Sequence, residues 1–196
     1  MSDVITGPIP DGRDPDAYDR LRRRVLWSLP TGLFVIGSRA GGRRNLMTAN
    51  WVMQVAVVPK LVAVSVERGT VTAGLIAEGG GFSVSVLDRA DRAVVRRFVK
   101  PVTEVETDGD GVAVSMQGIP VREVDGGLPR LESAVSWLSC RVRHTGDWGP
   151  EDGSPPASHL LFVGEVVDAG EEHPVGAEGG DPGILRMEDT RMNYGG

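Results

Sequence analysis

Between Leu29 and Leu87 the chain reads Leu29-Pro30-Thr31-Gly32, then Asn45-Leu46-Met47-Thr48-Ala49-Asn50-Trp51, then Pro59-Lys60-Leu61-Val62-Ala63-Val64-Ser65-Val66-Glu67, and closes with Gly81-Phe82-Ser83-Val84-Ser85-Val86-Leu87. Short β-branched and apolar runs cut by Gly and Pro are the signature of strands joined by tight turns. Residues 31–39 read as a strand leading into Gly41-Gly42, residues 46–55 as a second run, and residues 61–67 as a strand entered after Pro59. Residues 70–78 read instead as a short helix, capped by the Thr70 hydroxyl and ended by Gly79-Gly80-Gly81, which releases the chain into a strand over 82–87.

Outward from this block the pattern continues in short pieces. Residues 1–13 are rich in Gly and Pro with little apolar content and read as a loose tail. Asp14-Pro15 supplies an N-cap and a first-turn proline, and Tyr18, Leu21, Val25 and Leu29 recur at helical spacing until Pro30. On the other side, Asp88 or Asp91 is placed to cap an Arg-bearing helix reaching Phe98, with Pro101 as its stop. β-like pieces follow at 102–106, 112–116 and 119–124, with longer strands at 134–144 and 159–169; Gly, Pro and Asp mark loops at 145–158 and 170–183. Seven or so strands with three helices predict a mainly β fold, a closed or nearly closed antiparallel barrel carrying peripheral helices, as one domain over residues 14–196.

Composition narrows the chemistry. Of 196 residues 27 are Gly and 13 Pro, about a fifth, which stays below low-complexity levels, while a hydrophobic share of 40% suffices for one core. The lone Cys140 excludes an internal disulfide, a four-cysteine zinc site and a cysteine-held iron–sulfur cluster. His144, His159 and His173 lack the spacing of a zinc hydrolase. A net charge of −6, with no basic block longer than Arg22-Arg23-Arg24, argues against nucleic acid. No leader-like start and no long apolar window is present, so no membrane partner is expected and a cytoplasmic location is.

The phosphate-loop lysine motif, the G-x-S-x-G elbow and the dinucleotide-binding G-x-G-x-x-G are all missing. Taken in order, however, the runs quoted above resemble the flavin reductase-like family of FMN-binding split barrels, whose pattern is a Pro-Thr-Gly strand, an Asn-(Gly)-Met-Thr-Ala strand, a Pro-x-Leu-x-x-x-Ser-Val strand with a hydroxyl-rich helix start, and a Gly-Phe-x-Val-x-Val-Leu strand. Leu161-Phe162-Val163-Gly164-Glu165-Val166 and Arg191-Met192-Asn193-Tyr194-Gly195-Gly196 look like that family's late strand and tail. The resemblance implies an FMN-binding split barrel, with FAD as the alternative flavin and NAD(P)H as co-substrate. It also implies a homodimer that delivers reduced flavin to a partner monooxygenase.

The implied flavin contacts are Thr31, Met47, Thr48, Ala49, Asn50 and Trp51, whose backbone N–H groups and small Ala49 would meet the ring edge, with Ser65, Val66 and Glu67 beside them. Donors near the ring's N1/O2 edge favour the reduced, partly anionic flavin. Thr70 and Thr72 begin a helix, where free N–H groups and the macrodipole attract phosphate. Arg68 or Arg97 would add charge, and Tyr194 and Arg191 stand in the family tail. His159 is the implied catalytic residue. Where the family carries Gly-Asp-His to place the nicotinamide, this chain has Ala157-Ser158-His159.

Each residue also has a plain structural reading: a half-buried strand for 45–51, an ordinary N-cap for Thr70, a satisfied strand-end histidine for His159, a solvated Arg97 and an inert buried thiol for Cys140. Asp147-Trp148 is a further candidate for the pocket wall. The altered triplet favours a second function, an FMN-binding electron-transfer module that serves a redox protein partner without fast NAD(P)H oxidation. A third, a deazaflavin- or pyridoxal-dependent enzyme on the same architecture, follows from the range of cofactors such barrels carry.

Overall fold

The structure is a computed structural model that describes residues 7–149, 156–172 and 183–190. Helix α1 (Pro15–Trp27) begins where the sequence places it, with the Asp14 carboxylate accepting from the Ala17 N–H at 2.8 Å. Seven strands form the main antiparallel sheet: β1 (Phe34–Ala40), β2 (Arg43–Ala49), β3 (Val52–Ala56), β4 (Leu61–Glu67), β5 (Gly81–Val86), β10 (Ser136–Gly146) and β11 (His159–Glu171). A smaller sheet holds β6 (Val105–Thr107), β7 (Ala113–Met116), β8 (Ile119–Val124) and β9 (Leu128–Leu131). Helix α2 (Val71–Gly79) lies between β4 and β5 and ends at Gly80, whose φ of 70° is the left-handed cap that glycine tolerates.

The main sheet runs in the order β2-β1-β5-β10-β11-β4-β3. Its two margins, β2 and β3, are successive strands separated only by Asn50 and Trp51. The sheet therefore curls until its edges meet end to end at that step, a split barrel whose margins are not zipped by a ladder. The mainly β architecture is thus as the sequence predicts, with 11 strands among the described residues where seven or so were expected.

Alternation sorts the residues into two cores. Ile36, Phe82, Val84, Val62, Val64, Val66 and Phe162 pack with Ala73 and Ile76 of α2. Leu33, Val35, Leu46, Leu87, Phe98, Met116, Leu131 and Leu185 pack on the other side. Full burial of each such side chain is worth about 1.5–3 kcal/mol.

Strand β9 crosses the outer face of the main sheet, held by Ser83 Oγ donating to the Pro129 carbonyl at 2.6 Å and by the Leu131 N–H donating to Ser85 Oγ at 3.1 Å. Gly37 makes this approach feasible, because a Cβ there would lie 1.8 Å from the Pro129 oxygen. Glu123 of β8 ties the two sheets by pairing with Arg44 at 2.6 Å and Arg39 at 3.1 Å.

Three expectations are corrected. The single run over 46–55 is two strands, because the chain steps from one margin to the other at Asn50–Trp51. The Arg-bearing helix after Asp88 is two 3₁₀ turns, Arg89–Asp91 and Val94–Phe98; only Val95 and Phe98 of these are buried, too few to hold a full helical stripe. The strand expected from Thr31 starts at Phe34, since residues 31–33 pair with the C-terminal segment, Leu33 N–H donating to the Leu185 carbonyl at 3.1 Å and the Met187 N–H to that of Thr31 at 3.1 Å.

Candidate functional site

At the split between the two margins the molecule holds a cavity of about 600 Å³, within the usual range for small-molecule sites. Its walls come from the end of β2 with the Asn50–Trp51 step, from Ser65 and Glu67 of β4, from the start of α2, and from the segment 98–101; Ser158 and His159 close the remaining side. The antiparallel order places these together: β4 and β11 pair with Glu67 opposite His159, and α2 leaves directly from β4. Because β2 is an edge strand, alternate backbone groups along it have no ladder partner on the side away from β1.

Of the residues singled out from sequence, Met47, Thr48, Ala49, Asn50, Trp51, Ser65, Glu67, Thr70, Thr72 and His159 line this one cavity. Thr31, Val66 and Arg97 do not line it. Thr31 is occupied with Met187, Val66 is fully buried in the core because strand alternation turns it away from Ser65 and Glu67, and Arg97 is an exposed residue of the second 3₁₀ turn. Tyr194 and Arg191 lie outside the described residues.

Arg68 is engaged elsewhere: its guanidinium pairs with Asp147 and donates through Nε to the Ala157 carbonyl at 3.1 Å, while its backbone N–H donates to the Ser158 carbonyl at 2.8 Å. This pairing holds the Asp147 carboxyl below the ordinary carboxylate value and fastens the start of β11 to the end of β4. Trp148 is exposed and, like Asp147, stands apart from the cavity.

Three polar side chains of the wall are almost wholly buried: Asn45, Thr48 and Thr72. Thr48 Oγ1 donates to the Val95 carbonyl at 2.6 Å, so the hydroxyl belongs to the fold and only the rest of the residue faces the cavity. Thr70 Oγ1 accepts from the Ala73 N–H at 3.3 Å and donates to the Glu67 carbonyl at 2.8 Å, the N-cap arrangement. Asn45, Gly69, Val71, Phe98, Val99, Lys100, Pro101 and Ser158 also line the cavity, although the sequence assigned none of them a flavin contact. For Lys100 a signal existed: Lys60 and Lys100 are the only lysines in an arginine-rich chain.

His159 packs its ring edge-on against Trp51, with centroids 4.8 Å apart and planes at 62°. Its Nδ1 lies 2.8 Å from Ser158 Oγ. Burial lowers the His159 pKa below the ordinary 6.5, against a smaller upward pull from Glu67, so the imidazole is neutral at pH 7. Cys140, buried on β10, has its thiol pushed up to about 12 by desolvation. No group of three or more His, Cys, Asp or Glu among the described residues is placed to hold a metal ion. The donor set fits a planar, anionic cofactor: an unzipped strand margin for a ring edge, an aromatic at the mouth, and a helix start with a lysine on the same cavity for a phosphate.

Residues 26–190 match the flavin reductase like domain, and the chain belongs to that family. Among curated relatives it is 30% identical over 149 residues to a high molecular weight rubredoxin of Moorella thermoacetica, covering 74% of this chain and 58% of that protein. The chain thus spans little more than half of that relative. It is 28% identical over 144 residues to the NADH-dependent FMN reductase AsuE2 of Streptomyces nodosus subsp. asukaensis, covering 74% and 70%. It is 27% identical over 154 residues to the reductase component of 4-hydroxyphenylacetate 3-monooxygenase from Thermus thermophilus, covering 78% and 86%. The solved structure of the NADH:FAD oxidoreductase SgcE6 of Streptomyces globisporus C-1027, in complex with NAD and FAD fragments, superposes with a TM-score of 0.60 at 25% identity, covering 83% of this chain and 87% of that one.

Proposed function

We propose that this chain is an NAD(P)H-dependent flavin reductase that binds FMN in the cavity at the barrel split. The observation that carries the reading is the convergence of Met47–Trp51, the first turn of α2, Lys100 and His159 on one 600 Å³ space. When bound, the flavin supplies the two-electron acceptor for a hydride from the nicotinamide. The chain's own residues bind and orient. Met47 to Trp51 offer the strand margin to the ring edge, and small Ala49 permits close approach. Val71 and Thr72 at the start of α2, with the Lys100 ammonium, hold the phosphate. Neutral His159, steadied by Trp51 and Ser158, positions the nicotinamide without exchanging a proton.

FMN is favoured over FAD by the AsuE2 relative and FAD by the SgcE6 neighbour, so the flavin that co-purifies decides between them. The monooxygenase-linked relative supports a partner monooxygenase that consumes the reduced flavin. A homodimer is part of the same reading. Leu21, Val25, Leu26 and Trp27 of α1, and Met53 and Val55 of β3 with Val57 and Val58 after it, are all exposed, more apolar side chain than isolated surface residues account for. None of the helices among the described residues is long and apolar enough to cross a membrane; a cytoplasmic location belongs to the proposal.

Anaerobic stopped-flow mixing of the flavin-loaded protein with NADH or NADPH tests the reading. Reduction faster than that of free FMN supports the reductase. Reduction no faster supports the second function, an electron-transfer module with a redox protein partner. That function is favoured by the Ala157-Ser158-His159 departure and by the rubredoxin relative. If added FMN changes neither flavin fluorescence nor the melting temperature, both fail.

A further inference from the structure

Asn45 lies in β2 and is 3% exposed, yet its side chain bonds no atom of its own sheet. Its Oδ1 accepts from the Val102 N–H at 2.8 Å, and its Nδ2 donates to Thr72 Oγ1 at 2.9 Å. These partners stand behind two walls of the cavity: Thr72 in the first turn of α2, and Val102 directly after the Val99, Lys100 and Pro101 lining. A backbone N–H only donates, so the bond from Val102 fixes which end of the amide is which. The end facing Thr72 must be the donor.

The consequence falls on Thr72. Its oxygen accepts a hydrogen bond from the Asn45 amide, and its own O–H is left to donate, with no acceptor for it among the described residues. The other two threonines of the wall are spent: Thr48 donates to Val95, and Thr70 donates to Glu67 while accepting from Ala73. Thr72 is 1% exposed, lines the cavity, and alone of the three retains a proton to give a ligand. A hydroxyl ordinarily donates or accepts as its neighbours demand. Here Asn45 presents a donor and so cannot take the Thr72 proton, which leaves the single O–H directed to an acceptor elsewhere.

We propose that Asn45 is a positioning residue that leaves the Thr72 hydroxyl free to donate to the phosphate of FMN. This rests on the reading that the phosphate sits at the start of α2. The three bonds run head to tail, Val102 N–H to Asn45, Asn45 N–H to Thr72, and Thr72 O–H to the phosphate. Each polarises the next toward the anion. The relay also sets the two walls at a fixed spacing through one amide.

The test is a double-substitution cycle on Asn45 and Thr72, read as dissociation constants for FMN and for riboflavin, which lacks the phosphate. Thr72→Val and Asn45→Ala should each weaken FMN about tenfold, the loss of one hydrogen bond to a charged group, and leave riboflavin within about twofold. The double variant should be no weaker than Thr72→Val alone, because Asn45 acts through that hydroxyl. Thr72→Ser, which keeps the hydroxyl, should retain most of the FMN affinity and still depend on Asn45.

Additive losses, or an Asn45→Ala loss equal for FMN and riboflavin, would overturn the relay while leaving the phosphate at α2. Unchanged FMN affinity in Thr72→Val overturns the phosphate placement, and the relay with it. Should Asn45→Ala not fold, Asn45→Asp retains an acceptor for Val102. The cycle then cancels its charge cost, which is present with and without the Thr72 hydroxyl.

Discussion

His159 meets Trp51 edge-on at 4.8 Å, a contact between a residue that opens β11 and one that lies in the step joining β2 to β3. Both line the cavity, and both flank β4, where the Ser65 N–H donates to the Trp51 carbonyl and Glu67 stands opposite His159. Ser158 Oγ lies 2.8 Å from the histidine ring nitrogen Nδ1. The imidazole is therefore held by packing and one neutral hydrogen bond.

On the proposed reading, removing that imidazole should affect the nicotinamide and spare the flavin. His159→Ala should slow hydride transfer by about tenfold, roughly 1.4 kcal/mol of barrier, while FMN affinity stays within about threefold. Single-turnover reduction and flavin titration measure the two separately. A large affinity loss would show that His159 holds the flavin instead.

Acid should reach His159 late. Burial lowers its pKa in the folded protein below the ordinary 6.5 of the unfolded chain, so between those two values the unfolded state binds the extra proton. The contribution of His159 to stability is complete above pH 6.5 and is lost as pH falls through the folded value. An NMR titration of its Cε1 proton should give a midpoint below 6.5, and His159→Gln should flatten that part of the pH–stability curve. A midpoint at or above 6.5 contradicts the burial argument.

Thr48 makes a different claim from Thr72, although both line the cavity. Thr48→Val leaves the buried Val95 carbonyl without its donor and should cost about 1–3 kcal/mol of stability in urea denaturation. Riboflavin and FMN affinities should change in parallel in this variant, since its hydroxyl points into the fold. A selective loss of FMN would assign that hydroxyl to the phosphate.

Cys140 should be silent. With its thiol at about 12 and the side chain buried, it should not react with a disulfide reagent at pH 8 in the native state and should react fully once urea unfolds the chain. Rapid native labelling would mean that the β10 region opens readily.

Much of this was legible in the residues, for reasons that differ by segment. Leu61–Glu67 and α2 were bounded by Pro59, Thr70 and the glycine run, punctuation that acts locally. Strand β9 escaped because Leu128–Leu131 contains Pro129 and Arg130, and a 5% exposed arginine is sustained only by distant partners, Glu172 at 2.6 Å and the Trp137 ring at 5.0 Å. The step at Asn50–Trp51 escaped because both flanking strands carry apolar residues, so no change of pattern marks the crossing. In the site, the ring-edge segment and the helix start were readable by residue type. Asn45 was legible as the head of the Asn45–Trp51 motif but its role was not, since that depends on Val102 and Thr72, 57 and 27 residues away.

The unzipped meeting of β2 and β3 has a mechanical side. A barrel that closed fully would satisfy its last strand margin with its own backbone and leave no room there. This one stops short, so the place that receives a ligand is also where the wall has fewest rungs. Whatever fills the cavity packs against the free β2 margin and ties it to β4, to the start of α2 and to residues 98–101. Occupancy and global stability are then coupled, and the melting temperature should climb with ligand concentration. Loss of the ligand would loosen first the seam through which the next one must enter.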